Sequence, residues 1–103
     1  MRKVVVRYRT KPEHADENQR LVEQVFAELA EHDPGGVRYA TFRLADGVSF
    51  VHVAFHDSDG NPLADNAAFA EFQREIADRC DEPPVVQDAE VVGSYRLLAG
   101  IDG

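Results

Sequence analysis

The sequence has one cysteine, one methionine and no tryptophan in 103 residues. A lone cysteine cannot close an internal disulfide, so the composition gives no sign of an oxidised, secreted scaffold. No apolar run approaches the roughly 20 residues that cross a bilayer as a helix, and no signal-peptide core follows Met1. Positive charge is also scarce: 11 Lys+Arg stand against 19 Asp+Glu, a formal net charge of −8. That excess of acid argues against duplex nucleic acid or an anionic membrane as a partner. The expectation is a cytoplasmic chain folded as a single domain over residues 1–103.

What is present is apolar patterning. Hydrophobic residues make up 44% of the chain, enough to argue against disorder and for a real core. Bases concentrate in the first eleven residues (Arg2, Lys3, Arg7, Arg9 and Lys11), where there is no acid. They alternate with Val4, Val6 and Tyr8, so this segment reads as a strand with Arg7 and Arg9 on the face away from those three. If that face meets a partner sheet, Arg7 or Arg9 is expected to be ion-paired with an acid near or across the interface. Pro12 ends the strand and suits the first turn of a helix, where Glu13, Asp16 and Glu17 complement the dipole.

That helix runs to about Glu31, with Leu21, Val22, Val25, Phe26 and Leu29 as its apolar stripe. Asp33-Pro34-Gly35-Gly36 stops it. Val37–Leu44 and Val48–His56 read as strands joined by the hairpin signal Ala45-Asp46-Gly47. The third strand is apolar on both faces apart from His52, the pattern of a central strand. A loop over Asp57–Pro62 leads to a second helix from Asp65 or Asn66 to about Arg79, with Phe69, Phe72, Ile76 and Cys80 as a core stripe. Asp81-Glu82-Pro83-Pro84 reads as its stop, and Ala89–Leu98 as the fourth strand.

The order βαββαβ specifies an α+β, ferredoxin-like arrangement: a four-stranded antiparallel sheet with two helices on one face. The other face carries Val5 and one apolar set of the third strand. It needs a cover, which predicts a homodimer joined sheet to sheet as a dimeric barrel.

No nucleophile elbow and no phosphate loop occur. The four histidines have no metal-ligand spacing. His52 and His56 are about 13 Å apart if both lie in one strand, and His14 and His32 fall at opposite ends of the first helix. No metal and no cofactor are expected. The RNA-recognition motif shares this topology, but its aromatic platform is missing: Val48 and Val53 stand where rings should stack, and Asp46 where a base should be. His52 is the candidate site residue. It is a titratable group in an apolar strand, either a hydrogen-bonded core histidine or the lining of a pocket. Tyr8 and Tyr95 fall on expected inner faces.

The Val-rich first strand ending in Thr10-Lys11-Pro12-Glu13, the Asp46-Gly47 turn, and Asn61-Pro62-Leu63 before Phe69-Ala70-Glu71-Phe72 resemble the dimeric α/β-barrel superfamily, in particular its antibiotic-biosynthesis-monooxygenase-like group. The resemblance covers about Val4 to Leu98. It implies a homodimer with a pocket between helices and sheet, walled here by Tyr8, Phe26, Phe72 and His52. It also implies a choice of activities: oxidation of aromatic polyketides without metal or flavin, haem degradation, lactone isomerisation, or none. The haem-degrading pattern needs an Asn in the first strand, a Trp, and a His on the second helix, and all three are missing. The expected function is therefore binding of a small aromatic metabolite, or cofactor-independent monooxygenase-like activity on it. In the enzymatic version His52, with a pKa near neutrality, takes a proton from a phenol while Tyr8 and Tyr95 orient it. The alternative is a non-catalytic dimeric binding or interaction module.

Overall fold

A computed structural model describes residues 2–57 and 62–98. Strand β1 (Arg2–Thr10) leads through a 3-10 turn at Pro12–His14 into helix α1 (Ala15–His32). Strands β2 (Val37–Arg43) and β3 (Ser49–His56) follow as a hairpin, then a 3-10 turn at Pro62–Asp65, helix α2 (Ala67–Gln73), the one-turn helix α3 (Ile76–Arg79) and strand β4 (Cys80–Asp88). The strand order is β2-β3-β1-β4 with every pairing antiparallel, so β1 and β3 are the central pair, as the apolar pattern of β3 requires. The α+β ferredoxin-like reading holds.

The face of β1 carrying Val4, Val6, Tyr8 and Thr10 turns toward the helices, and Arg7 and Arg9 turn away and are exposed. Arg9 pairs with Glu82 of the neighbouring strand at 3.0 Å, an ion pair within the chain. The core packs Tyr8, Phe50, Val22, Val25, Phe72 and Cys80 between sheet and helices. At the β2–β3 turn the Asp46 carboxylate accepts from the backbone N–H groups of Val48 and Ser49 at 3.0 and 2.8 Å, while Gly47 supplies a φ of 79°. Helix α1 stops at Asp33, which takes the left-handed conformation at φ 45°. Asn66 caps α2, its side chain accepting from Phe69 N–H at 2.7 Å.

Two expectations are corrected. The second helix does not run unbroken to Arg79. It ends at Gln73, Glu75 adopts φ 60°, and a single turn follows. The break frees backbone carbonyls that Arg79 recovers: its guanidinium donates to Phe72 O at 2.6 Å and Arg74 O at 3.0 Å. The fourth strand is Cys80–Asp88, not Ala89–Leu98, so Cys80 is a buried strand residue and Pro83-Pro84 lie inside the strand they were expected to precede. Proline is tolerated because β4 is an edge. The pairing of β4 with β1 also shifts register around these two residues: Arg7 faces Val85, but Arg9 faces Glu82. The Val91–Leu97 alternation falls on exposed chain, with Val92 at 99% exposure. The expected Asp57–Pro62 loop lies, from 58 to 61, outside the described residues.

Candidate functional site

His52 points toward the helices, not toward the open face of the sheet, and is 4% exposed. Rings surround it: Tyr8 at 5.3 Å, Phe72 at 5.4 Å and Tyr39 at 5.8 Å between centroids. Both its nitrogens are engaged. Nε2 lies 2.8 Å from the Tyr8 hydroxyl, and Nδ1 lies 2.6 Å from the Tyr39 hydroxyl and 3.0 Å from Thr41 Oγ1. Thr41 is the direct cross-strand neighbour of His52, and Tyr39 sits two residues away on the same face of β2.

The direction of these hydrogen bonds follows from the far end of the chain. Arg79 can only donate, and its guanidinium lies 3.3 Å from Asn18 Oδ1, which must accept. The other end of that amide, Nδ2, therefore donates to the Tyr8 hydroxyl oxygen at 2.8 Å. Tyr8 satisfies its own proton by donating to His52 Nε2. A neutral ring with Nε2 accepting carries its proton on Nδ1, which donates to Tyr39 and Thr41. One buried polar chain thus runs from Arg79 through Asn18, Tyr8 and His52 to Tyr39.

Burial agrees with the neutral ring. It lowers the His52 pKa from its ordinary value to about 4, so the expected value near neutrality is not met. Burial raises Tyr39 to about 12, against a hydrogen bond from Thr41 that pulls the other way. Burial likewise raises Tyr8, opposed first by its hydrogen bond with Asn18. All three are uncharged at pH 7.

This network forms part of the lining of a cleft of about 490 Å³ between sheet and helices. That is within the range of small-molecule sites. Val4, Val6, Ala54, Leu63, Phe69, Phe72, Ile76 and Val86 supply apolar wall, and Arg2, His56 and Gln73 supply polar groups. Of the residues named from the sequence, Tyr8, His52 and Phe72 line this cleft. Phe26 is not part of this lining: it stands behind Tyr39, stacked on it at 5.0 Å. Tyr95 is 82% exposed and away from the cleft, because its segment is not the inner strand it was expected to form. Asn18, Tyr39, Thr41 and Arg79 were missed. Asn18 had a signal, since it continues the α1 stripe three and four residues before Leu21 and Val22 and is fully buried. Among the described residues no group of three or more His, Cys, Asp or Glu side chains is placed to hold a metal ion. No helix among them is long and apolar enough to cross a membrane.

A ferredoxin-like domain with a cleft between helices and sheet defines the class. Known structures sharpen the fold. The chain superimposes on a proposed antibiotic biosynthesis monooxygenase from Nitrosomonas europaea with a TM-score of 0.71 at 18% identity, over 90% of this chain and all of that one. A corresponding protein from Caulobacter crescentus matches at 0.65 and 19%, over 89% of this chain and 90% of that one. A second Nitrosomonas europaea protein, of unknown function, matches at 0.67 and 16%, over 91% of each chain. The chain therefore has the antibiotic-biosynthesis-monooxygenase-like fold. No family model matches it, and no curated protein matches it in sequence.

Proposed function

We propose that this chain binds a small, planar aromatic metabolite in the His52 cleft, working as one half of a homodimeric barrel in the cytoplasm. The observation that carries the reading is the cleft itself: apolar and aromatic walls around a buried, neutral, fully directed hydrogen-bonding group. Tyr39 accepts from His52, which leaves its own O–H for Thr41 or for a ligand hydroxyl or carbonyl. His52 acts as a positioning residue that orients Tyr8 and Tyr39. The homodimer rests on the outer face of the sheet, where Val5, Val51, Val53 and Phe55 stay only partly buried and Phe42 and Val85 are 37% and 58% exposed. A lone, free Cys80 accords with a reducing compartment.

The names of the structural neighbours favour oxygenase chemistry as a second reading. The His52 pKa constrains it. Moving a proton from an ordinary phenol, near 10, to a group at about 4 is uphill by roughly 8 kcal/mol. A substrate for such chemistry would therefore have to ionise near neutrality on its own, with Tyr39 holding the anion. Thermal shift against a panel of polyphenols and hydroxyquinones tests the binding reading. A ligand at 100 times its dissociation constant adds about 2.7 kcal/mol to stability. No shift across the panel, in the dimer, contradicts it.

A further inference from the structure

We propose that the cleft takes an aromatic acid, with its carboxylate held at the outer end by Arg2 and His56. This rests on the aromatic-ligand reading above and adds which end of the ligand is charged. Arg2 and His56 stand directly opposite each other across β1 and β3, on the face that also bears Val4 and Ala54. His56 Nδ1 is buried and has no hydrogen-bond partner among the described residues. A buried polar atom left unpaired costs free energy that a ligand group can recover.

The Arg2 guanidinium is only loosely engaged. It lies 3.6 Å from Asp88, in a pair whose side chains are 67% and 83% exposed. Such a pair contributes little and is easily exchanged for a carboxylate that the guanidinium and an imidazole N–H grip together. Between this end and the Tyr39–His52 end lies Ala54, the small residue that leaves room on the floor. Four residues of strand separate His52 from His56, about 13 Å along the sheet. A two- or three-ring aromatic carrying a hydroxyl at one end and a carboxylate at the other meets both polar ends while its rings lie on Val4, Ala54 and Ile76. A plain phenol reaches one end and leaves the other unpaired.

The test compares 6-hydroxy-2-naphthoic acid with its methyl ester at pH 7. The chain has no tryptophan, so the naphthalene fluorescence is read directly. The acid is expected to bind about tenfold more tightly than the ester, as one charge-assisted contact warrants. Arg2→Gln should bring the two within about twofold while leaving the ester unchanged, and His56→Leu should weaken the acid alone. Equal binding of acid and ester by the native chain overturns the carboxylate assignment and leaves the aromatic cleft standing. An acid preference that survives Arg2→Gln overturns the role of Arg2, and loss of acid and ester alike in His56→Leu makes His56 mere wall. If neither compound binds, the carboxylate assignment falls, and the thermal-shift panel decides the aromatic reading separately.

Discussion

The two faces of this sheet invert the usual rule. The face under the helices is buried yet holds the polar chain from Arg79 to Tyr39. The open face is exposed yet bears Val5, Phe42, Val51, Val53 and Val85. Buried polar groups persist only when each is satisfied, and here every bond from Arg79 onward has one direction that works. Exposed apolar groups in a row persist when something covers them. The contrast shows that the buried polar groups from Arg79 to Tyr39 are each satisfied within the chain, whereas the apolar row on the outer face has no cover within it. On the function proposed above, the inner face takes a small polar-tipped ligand and the outer face a second chain.

The sharpest way to break the contrast is on the outer face. Val53 sits in its centre, opposite Val5 and Ala40. Val53→Lys should abolish the dimer outright, converting a twofold mass to the single-chain mass in light scattering at micromolar concentration. A native chain that already runs as a monomer contradicts the outer-face account.

On the inner face, Arg79→Leu should cost on the order of 4 kcal/mol in urea unfolding, since Phe72 O, Arg74 O and Asn18 Oδ1 all lose their donor. Replacing the exposed Arg9, whose ion pair is with Glu82, should change stability by less than about 0.5 kcal/mol. Similar losses at both positions would erase the distinction.

A smaller effect comes from pH. The His52 pKa is lowered by burial to about 4, below its unfolded value, so its contribution is complete above about 6.5 and is lost as pH falls toward 4. The loss is at most about 3 kcal/mol over that window. His52→Gln should remove that part of the pH dependence, whatever it does to stability at pH 8. The smallest effect is at the turn. Hydrogen bonds from Ser49 and Val48 lower the Asp46 carboxyl to about 2, so its contribution is lost only as pH falls from about 4 through 2. Asp46→Asn should flatten that acid limb alone.

Much of the first half of the fold was legible in the residues. Alternation marks β1, a run apolar on both faces marks the central strand β3, the stripe from Leu21 to Leu29 marks α1, and Asp46-Gly47 marks the β2–β3 hairpin. The second half was not, for identifiable reasons. Nothing in Gln73-Arg74-Glu75 signals a helix end, because the compensation comes from Arg79, a contact only the folded chain makes. Pro83-Pro84 carry the local signature of a stop, and only their place on an edge strand with a shifted register allows them to pair. That misplacement drew Tyr95 toward the site. His52 itself stood out as one polar residue in an apolar strand. Of its partners, Tyr8 was visible on the inner face of β1, but Thr41 and Tyr39 were not, because they reach His52 only through the β2–β3 register. Asn18 joins the network only through Tyr8, once α1 docks.

The central claim is that His52 is a neutral, internally directed hydrogen-bonding group and not a base near neutrality. Long-range nitrogen–proton NMR of the histidine rings reads this directly. The account predicts that between pH 5.5 and 8 His52 stays a single neutral tautomer, with the proton on Nδ1 and Nε2 unprotonated. A His52 ring that titrates near its ordinary value of 6.5, or that carries its neutral proton on Nε2, would contradict it.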